Sequence, residues 1–367
     1  MQSAFHRWYG LGKWPYCSIG TFALILVVRL LQLWSWLKWP VALSLICYLY
    51  ISQRQAVFQI GSAPKSWGYL WLALLILLAT YLVTFMRWWL LVRAQRFSFS
   101  PFQAIRLGFI GLVSNILAPG AVGGDIVRAV LIAKNQRSRR SAAVATVILD
   151  RLVGLQALFL VGALASFVPM PVLDRPALYP VRLLMWSGSV LGLTLLVLIL
   201  RPQRRHSYLF RLLEGLPGLG GMFSELTESL LLYQSRPAVV WLALSLGLIC
   251  QIGQITGFYC CALWINDAWV PSLVSHFFFL PSAQLFAAFI PLPAGTGALE
   301  GAMQWFYGQV RPPDVSLANA GAAGFLAAVA FRVATLAIAA FGGVYYFIVR
   351  REIVQAMADD DTPRFSG

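Results

Sequence analysis

Charge is scarce in this chain. Only 11% of its 367 residues are Asp, Glu, Lys or Arg, against roughly 25% in a soluble domain. With 59% apolar residues there is too little polar surface to face water, so lipid must be the solvent. Histidine is rarer still: His6, His206 and His276 stand far apart and form no HExxH pair. No metal centre and no other cofactor is expected. The five cysteines (Cys17, Cys47, Cys250, Cys260, Cys261) lack any CxxC spacing and lie mostly in apolar runs, where they read as small packing residues. No GxxxxGK[ST] or GxSxG occurs, which argues against an ATP-driven pump in one chain and against a serine nucleophile of the elbow type.

Long apolar runs are what the chain does have. Trp67–Leu91, Leu183–Leu200 and Val239–Leu263 approach or exceed the roughly 20 residues that cross a hydrocarbon core. They are too many and too widely spread for one signal peptide. The net charge of +15 does not point to nucleic acid, because the basic residues sit in short loops between apolar runs. That is the positive-inside pattern of a membrane protein, with some loops also suited to anionic head groups.

An all-α polytopic membrane protein follows, with about six full spans and two broken segments. Residues 1–38 form a basic, Trp-rich segment that either lies in the interface, with Trp34, Trp36 and Trp39 at head-group level, or makes an extra span. The transmembrane domain runs over 39–351, and residues 352–367 read as a disordered tail. A first span ends near Tyr50. Others cover about Trp67–Leu91, Ala142–Phe167, Val181–Leu200, Ala238–Ile265 and Leu317–Val349, with a basic loop over 201–237. The segments Phe102–Ala133 and Ser272–Tyr307 break at Pro119-Gly120 and at Pro291 to Gly295. If each is a re-entrant hairpin, Arg93, Arg96, the Lys134–Arg140 cluster, the 201–237 loop and Arg350-Arg351 share one side. Arg54, Lys65, Arg175, Arg182 and Arg311 take the other. The bias predicts a cytoplasmic membrane with the C-terminus on its inner side.

That assignment exposes a repeat of span, hairpin, span, over about 67–167 and 238–349. In each tip a proline comes first (Pro119, Pro293), a glycine four positions on (Gly123, Gly297), and an acid at six or seven (Asp125, Glu300). An arginine inside the next span follows, Arg151 or Arg332. An odd number of crossings separates the units, so they run in opposite senses. Secondary transporters built this way hold substrate at mid-membrane between broken helices.

A charged group at bilayer depth costs at least ~3 kcal/mol on insertion scales. Those present must be paired, solvated or functional: Arg87, Asp125, Arg128, Asp150, Arg151, Glu300 and Arg332. Asp125 and Arg128 are three apart and share a helix face. Gly123 and Gly124 allow the backbone to bend or approach closely. Helix N-termini at the breaks offer N–H groups to a phosphate, and Arg128, Arg151 and Arg332 offer planar forked donors. Asp125 and Glu300 then orient the arginines, receive a cationic head group, or carry a proton. The plainer reading is that these groups neutralise one another and tie the two repeats together. Asp150 and Arg151 are helix neighbours that point apart, so each needs another partner. Arg87, beside Trp88-Trp89 near a span end, reads as a snorkelling residue.

The run Ser114-Asn115-Ile116-Leu117-Ala118-Pro119-Gly120, then Gly123-Gly124-Asp125-x-x-Arg128 and Asp150-Arg151 with Gly154, resembles the lysylphosphatidylglycerol synthase transmembrane-region family. So do Arg87-Trp88, Pro291-x-Pro293-x-Gly295-x-Gly297-x-x-Glu300 and Phe331-Arg332. The resemblance, over roughly Trp67–Val349, implies lipid translocation as in the flippase half of the multiple peptide resistance factor. It implies a working core of Asn115, Gly123, Gly124, Asp125, Arg128, Asp150, Arg151, Glu300 and Arg332. In the fused relatives a soluble aminoacyltransferase follows. Here the sequence stops soon after Arg351, so lysine transfer is not expected.

The expected function is therefore a lipid flippase, not an enzyme, acting on a membrane lipid with a phosphate head group. A separate lipid-modifying enzyme is a candidate partner, and no nucleic acid is involved. Two alternatives are a membrane transferase acting on a lipid-linked phosphate and a subunit that scaffolds a neighbouring enzyme.

Overall fold

The structure, a computed structural model, describes residues 65–117, 123–134, 140–168, 175–200, 232–265, 269–290 and 295–360, with isolated positions between 40 and 58. Residues 1–38, Pro119 to Val122, Pro291 to Ala294, most of the 201–237 loop and the end of the tail lie outside the described residues. So does most of the first expected span.

Nine helices and no strand occur among the described residues. They are α1 (Trp67–Ala94), α2 (Pro101–Leu117), α3 (Gly123–Lys134), α4 (Arg140–Ala165), α5 (Tyr179–Leu200), α6 (Pro237–Ile265), α7 (Leu273–Phe289), α8 (Ala298–Val310) and α9 (Leu317–Asp360). Five are long and apolar enough to cross a membrane: α1, α4, α5 with its preceding turn, α6, and α9 as far as Gly343. Their outward faces are apolar too, with Trp71 and Leu183 each 70% exposed. Such surface is stable only against lipid. The chain is a multi-pass membrane protein.

The short helices form two antiparallel pairs. Gly111 of α2 faces Arg128 of α3, which donates to the Gly108 carbonyl at 3.1 Å, and Gly124 of α3 faces Gly111 and Asn115. In the second pair His276 of α7 bonds Tyr307 of α8 at 2.7 Å, Phe279 stacks on Phe306, and Ala287 faces Gly295. At 1.5 Å per residue the second arms, 12 and 13 residues long, reach only about 18–20 Å. A hydrocarbon core is about 30 Å thick.

α1 and α6 make the most extensive contact, and they run antiparallel. Gly257 faces Leu77, Gly253 faces Thr80 and Gly247 faces Arg87. With so little side chain on α6 the two backbones approach closely, which is how helices associate where water gives no driving force. Both ends of the pair are capped. Lys65 donates to the Ile265 carbonyl at 2.7 Å, and Tyr233 in a 3-10 turn donates to the Leu91 carbonyl at 2.8 Å. These are carbonyls that a helix C-terminus leaves without a partner.

Exchanging α1 with α6, α2 with α7, α3 with α8 and α4 with α9 maps each contacting helix pair of the two units onto another contacting pair, although α4 meets α6 far more extensively than α1 meets α9. α2 packs on α9 as α7 packs on α4, and α3 on α4 as α8 on α9. Only α5 stands outside, against α4, where Gln156 donates to the Ser189 carbonyl at 2.9 Å. The two hairpins also open toward opposite ends of the bundle. Trp88, Val92, Phe99, Ala104, Ile132 and Ala143 form one cluster, which joins the end of α1 to the base of α2/α3. The base of α7/α8 instead meets the end of α6, where Tyr259 packs on His276.

Candidate functional site

Three arginine–carboxylate pairs organise the interior. Asp125, third residue of α3, binds Arg151 of α4 through both carboxylate oxygens, Oδ1 accepting at 2.7 Å. Glu300, third residue of α8, binds Arg332 of α9 in the same way, Oε2 accepting at 3.1 Å. The two acids thus hold corresponding places in the two units, and so do the two arginines. Arg87 of α1 donates to Asp150 of α4 at 2.8 Å, with both side chains buried. As expected of neighbours on a helix, Asp150 and Arg151 take different partners.

Two expectations fail. Arg87 does not snorkel: it is 6% exposed, and Gly154 and Gly247 make room for its guanidinium, so that a Cβ on either would stand 3.3 Å from it. Nor do the pairs tie the repeats together, because each one closes within its own unit. An acid at the start of the hairpin's second arm meets the span that follows it directly, and a short connection keeps that partner within reach.

At the start of each second arm one N–H already has a side-chain acceptor. The Gly297 N–H donates to Glu300 Oε2 at 2.7 Å, and the Gly124 N–H to Asn115 Oδ1 at 2.7 Å. Gly297, at φ 85°, takes a left-handed conformation that a residue with a Cβ resists. That bend lets Glu300 reach back to the helix start while still holding Arg332. Gly124 is needed for a different reason: a Cβ there would run into the Gly111 carbonyl.

A cavity of about 320 Å³ lies between the hairpin tips. Its polar wall is Tyr81 of α1, Asn115 of α2 and Arg151 of α4 from one unit, and Gln254 of α6, Gln284 of α7 and Arg332 and Thr335 of α9 from the other. The Arg151 side chain is 52% exposed and that of Arg332 17%, whereas Asp125 and Glu300 stand behind them at 7% and 0%. Each arginine is thereby held by a buried acid and turned toward the open space.

Arg128, Asp150 and Gly124 do not line it. Arg128 is buried inside the first hairpin, donating to the Gly108 carbonyl at 3.1 Å and lying 5.5 Å from the Phe85 and Trp88 rings. Its distance to Asp125 is 3.9 Å, so the expected shared face exists but Arg151 is the nearer partner. Gly123 only opens α3.

Sequence reasoning missed Tyr81, Gln254 and Gln284. Gln284 donates to Gln254 at 2.8 Å, bridging α6 and α7 on the cavity wall. The available signal was a polar amide in each of two strongly apolar helices, where such groups need a partner.

A family model described as the lysylphosphatidylglycerol synthase TM region matches residues 37–343. Neither a curated protein nor a solved structure matches the chain.

Proposed function

The chain belongs to the lysylphosphatidylglycerol synthase transmembrane-region family, and from that premise we propose that it carries a lipid head group across the membrane. In this reading the two units are an inverted repeat and the α2/α3 and α7/α8 pairs are re-entrant hairpins entering from opposite leaflets. The exchangeable contacts, the antiparallel α1/α6 pair and the short hairpin arms support it. One observation carries the proposal: Arg151 and Arg332, from corresponding helices of the two units, line one cavity between the hairpin tips. The head group passes through that cavity while the acyl chains stay in lipid. Irregular backbone at membrane depth is tolerated where it lines such a space.

The protein acts as a transporter without a cofactor. Among the described cavity-lining residues there is no carboxylate, which favours binding and passage over acid–base chemistry. Its membrane is the bacterial inner membrane. Arg93, Arg96 and Arg236 lie where α1 ends and α6 begins; this favours placing that end in the cytoplasm, together with the end of α9. A separate enzyme that makes or modifies the lipid is the natural partner.

The test is translocation in proteoliposomes of phosphatidylglycerol carrying a fluorescent group on its head, scored by quenching from outside. Asp125→Asn and Arg151→Gln should slow transport at least tenfold while eluting as a folded monodisperse protein. Wild-type rates in both variants would rule this site out.

A further inference from the structure

The two acids differ in what stands one turn further along their helices. Asp125 Oδ1 accepts from Arg151 at 2.7 Å and lies 3.9 Å from Nη1 of Arg128, three residues on. In the second unit the residue three on from Glu300 is Met303, an apolar side chain that is fully buried. Arg332 is also held more firmly, since besides Glu300 it donates to the Gly295 carbonyl at 3.3 Å. We infer that Asp125 is an exchangeable partner: it passes from Arg151 to Arg128 when the phosphate of a lipid head group takes Arg151. Arg128 is then a positioning residue, in an exchange that rests on the lipid-translocation reading and gives its two corresponding arginines unequal roles.

Arg128 is short of partners where it stands. Its Nη2 donates to the Gly108 carbonyl at 3.1 Å, but its Nε is buried with no hydrogen-bond partner among the described residues. The Phe85 and Trp88 rings, 5.5 Å away, offset only part of the cost of burying a cation. A carboxylate moving onto this guanidinium is therefore stabilised there. The movement is small. Oδ1 has to close about 1 Å, from 3.9 Å to an ordinary charge-assisted bond of about 2.8 Å. Residues three apart on a helix are neighbours, so rotation of the Asp125 side chain is enough and the α3 backbone stays in place.

The cavity makes such an exchange necessary. Arg151 lines it, yet its charge is already met by Asp125. A phosphate that recruits Arg151 must displace the carboxylate, and Asp125 at 7% exposure cannot turn to water. Without a second cation the displacement would leave a buried, uncompensated charge, which is strongly unfavourable. Arg128 supplies that cation, so Arg151 is released at little net cost. Glu300, with Met303 in the corresponding place, has no such route among the described residues. Arg332 therefore keeps its tether, and the head group is gripped from the first unit.

Binding of dioctanoyl phosphatidylglycerol to the full chain in detergent micelles tests this. Arg128→Gln keeps a donor for the Gly108 carbonyl but removes the charge, and should weaken binding at least tenfold. Arg128→Lys keeps the charge and should stay within threefold of wild type. In an Asp125→Asn background no carboxylate needs a new partner, so Arg128→Gln should change binding less than threefold; a structural role alone would not give that dependence. Three results overturn the exchange: wild-type binding by Arg128→Gln, equal losses for Arg128→Gln and Arg128→Lys, or a tenfold loss that persists with Asp125→Asn. Excess inorganic phosphate should leave the lipid bound, and displacement overturns a lipid as the source of the phosphate. A thermal ramp without ligand gives an independent reading. Arg151→Gln should lower the melting temperature more in the Arg128→Gln background than alone, because Asp125 then has neither cation; equal shifts overturn Arg128 as its second partner. Transport in proteoliposomes separates the two readings. Lipid movement with a failed binding cycle sinks the exchange alone, whereas a cycle that holds in a chain moving no lipid sinks translocation.

Discussion

Glutamine in place of Arg332 should destabilise the protein far more than glutamine in place of Arg151, although the two arginines occupy corresponding positions. The difference lies in what each leaves behind. Glu300 is fully buried, and its charge is met by Arg332 and by the Gly297 N–H. Losing one partner of a buried pair costs about 3–5 kcal/mol, because the remaining charge cannot reach water. Asp125 is nearly as buried, but it keeps Arg128 at 3.9 Å, and Arg151 is 52% exposed. A half-exposed pair is worth about 1 kcal/mol or less. Domains of 150–250 residues lose roughly 2–4 °C per kcal/mol, so Arg332→Gln should lower the melting temperature by at least ~5 °C, with a smaller effect for Arg151→Gln. Intrinsic tryptophan fluorescence during a thermal ramp in detergent reads both. The double variant Glu300→Gln with Arg332→Gln removes both charges and should recover most of the loss. Equal shifts for the two arginine variants would refute the reasoning, and so would a double variant as unstable as the sum of the singles.

The α1/α6 seam gives another prediction. A Cβ on Gly257 would sit 2.6 Å from Leu77, so Gly257→Leu should force the spans apart at a cost of about 1–3 kcal/mol or more; a smaller Leu77→Ala partner should restore part of the melting temperature. Tyr233, in the 3-10 turn beyond the spans, has its phenol pushed above the ordinary value of 10 by burial. Its stabilising effect is complete below pH 10 and falls as pH climbs toward the raised value. Tyr233→Phe should flatten that alkaline loss in a melting-temperature series, while itself costing about 1 kcal/mol for the bond to Leu91.

The residues differ in how much they disclosed before any coordinates. Asp150 and Arg151 had to find separate partners, because successive residues point apart on a helix, and they do: Arg87 and Asp125. The Pro–Gly–acid pattern of each tip marked Asp125 and Glu300, and both begin short arms. Arg87 was misread because a position near a span end suits snorkelling equally well, and only the neighbouring α4 reveals the buried Asp150. Gln254 and Gln284 carried no motif spacing, since they belong to different helices that meet only in the folded bundle.

Hydropathy and the placement of basic residues were enough to establish a helical membrane protein, because transfer free energy is a property of each segment and needs no knowledge of its neighbours. The grouping of residues into one family pattern was also legible in the chain. The tertiary structure alone decided which acid holds which arginine, that Asp125 and Glu300 withdraw behind the cavity, and that Arg151 and Arg332 face it together. Those outcomes depend on distances between helices far apart in the chain, and a one-dimensional pattern does not encode them.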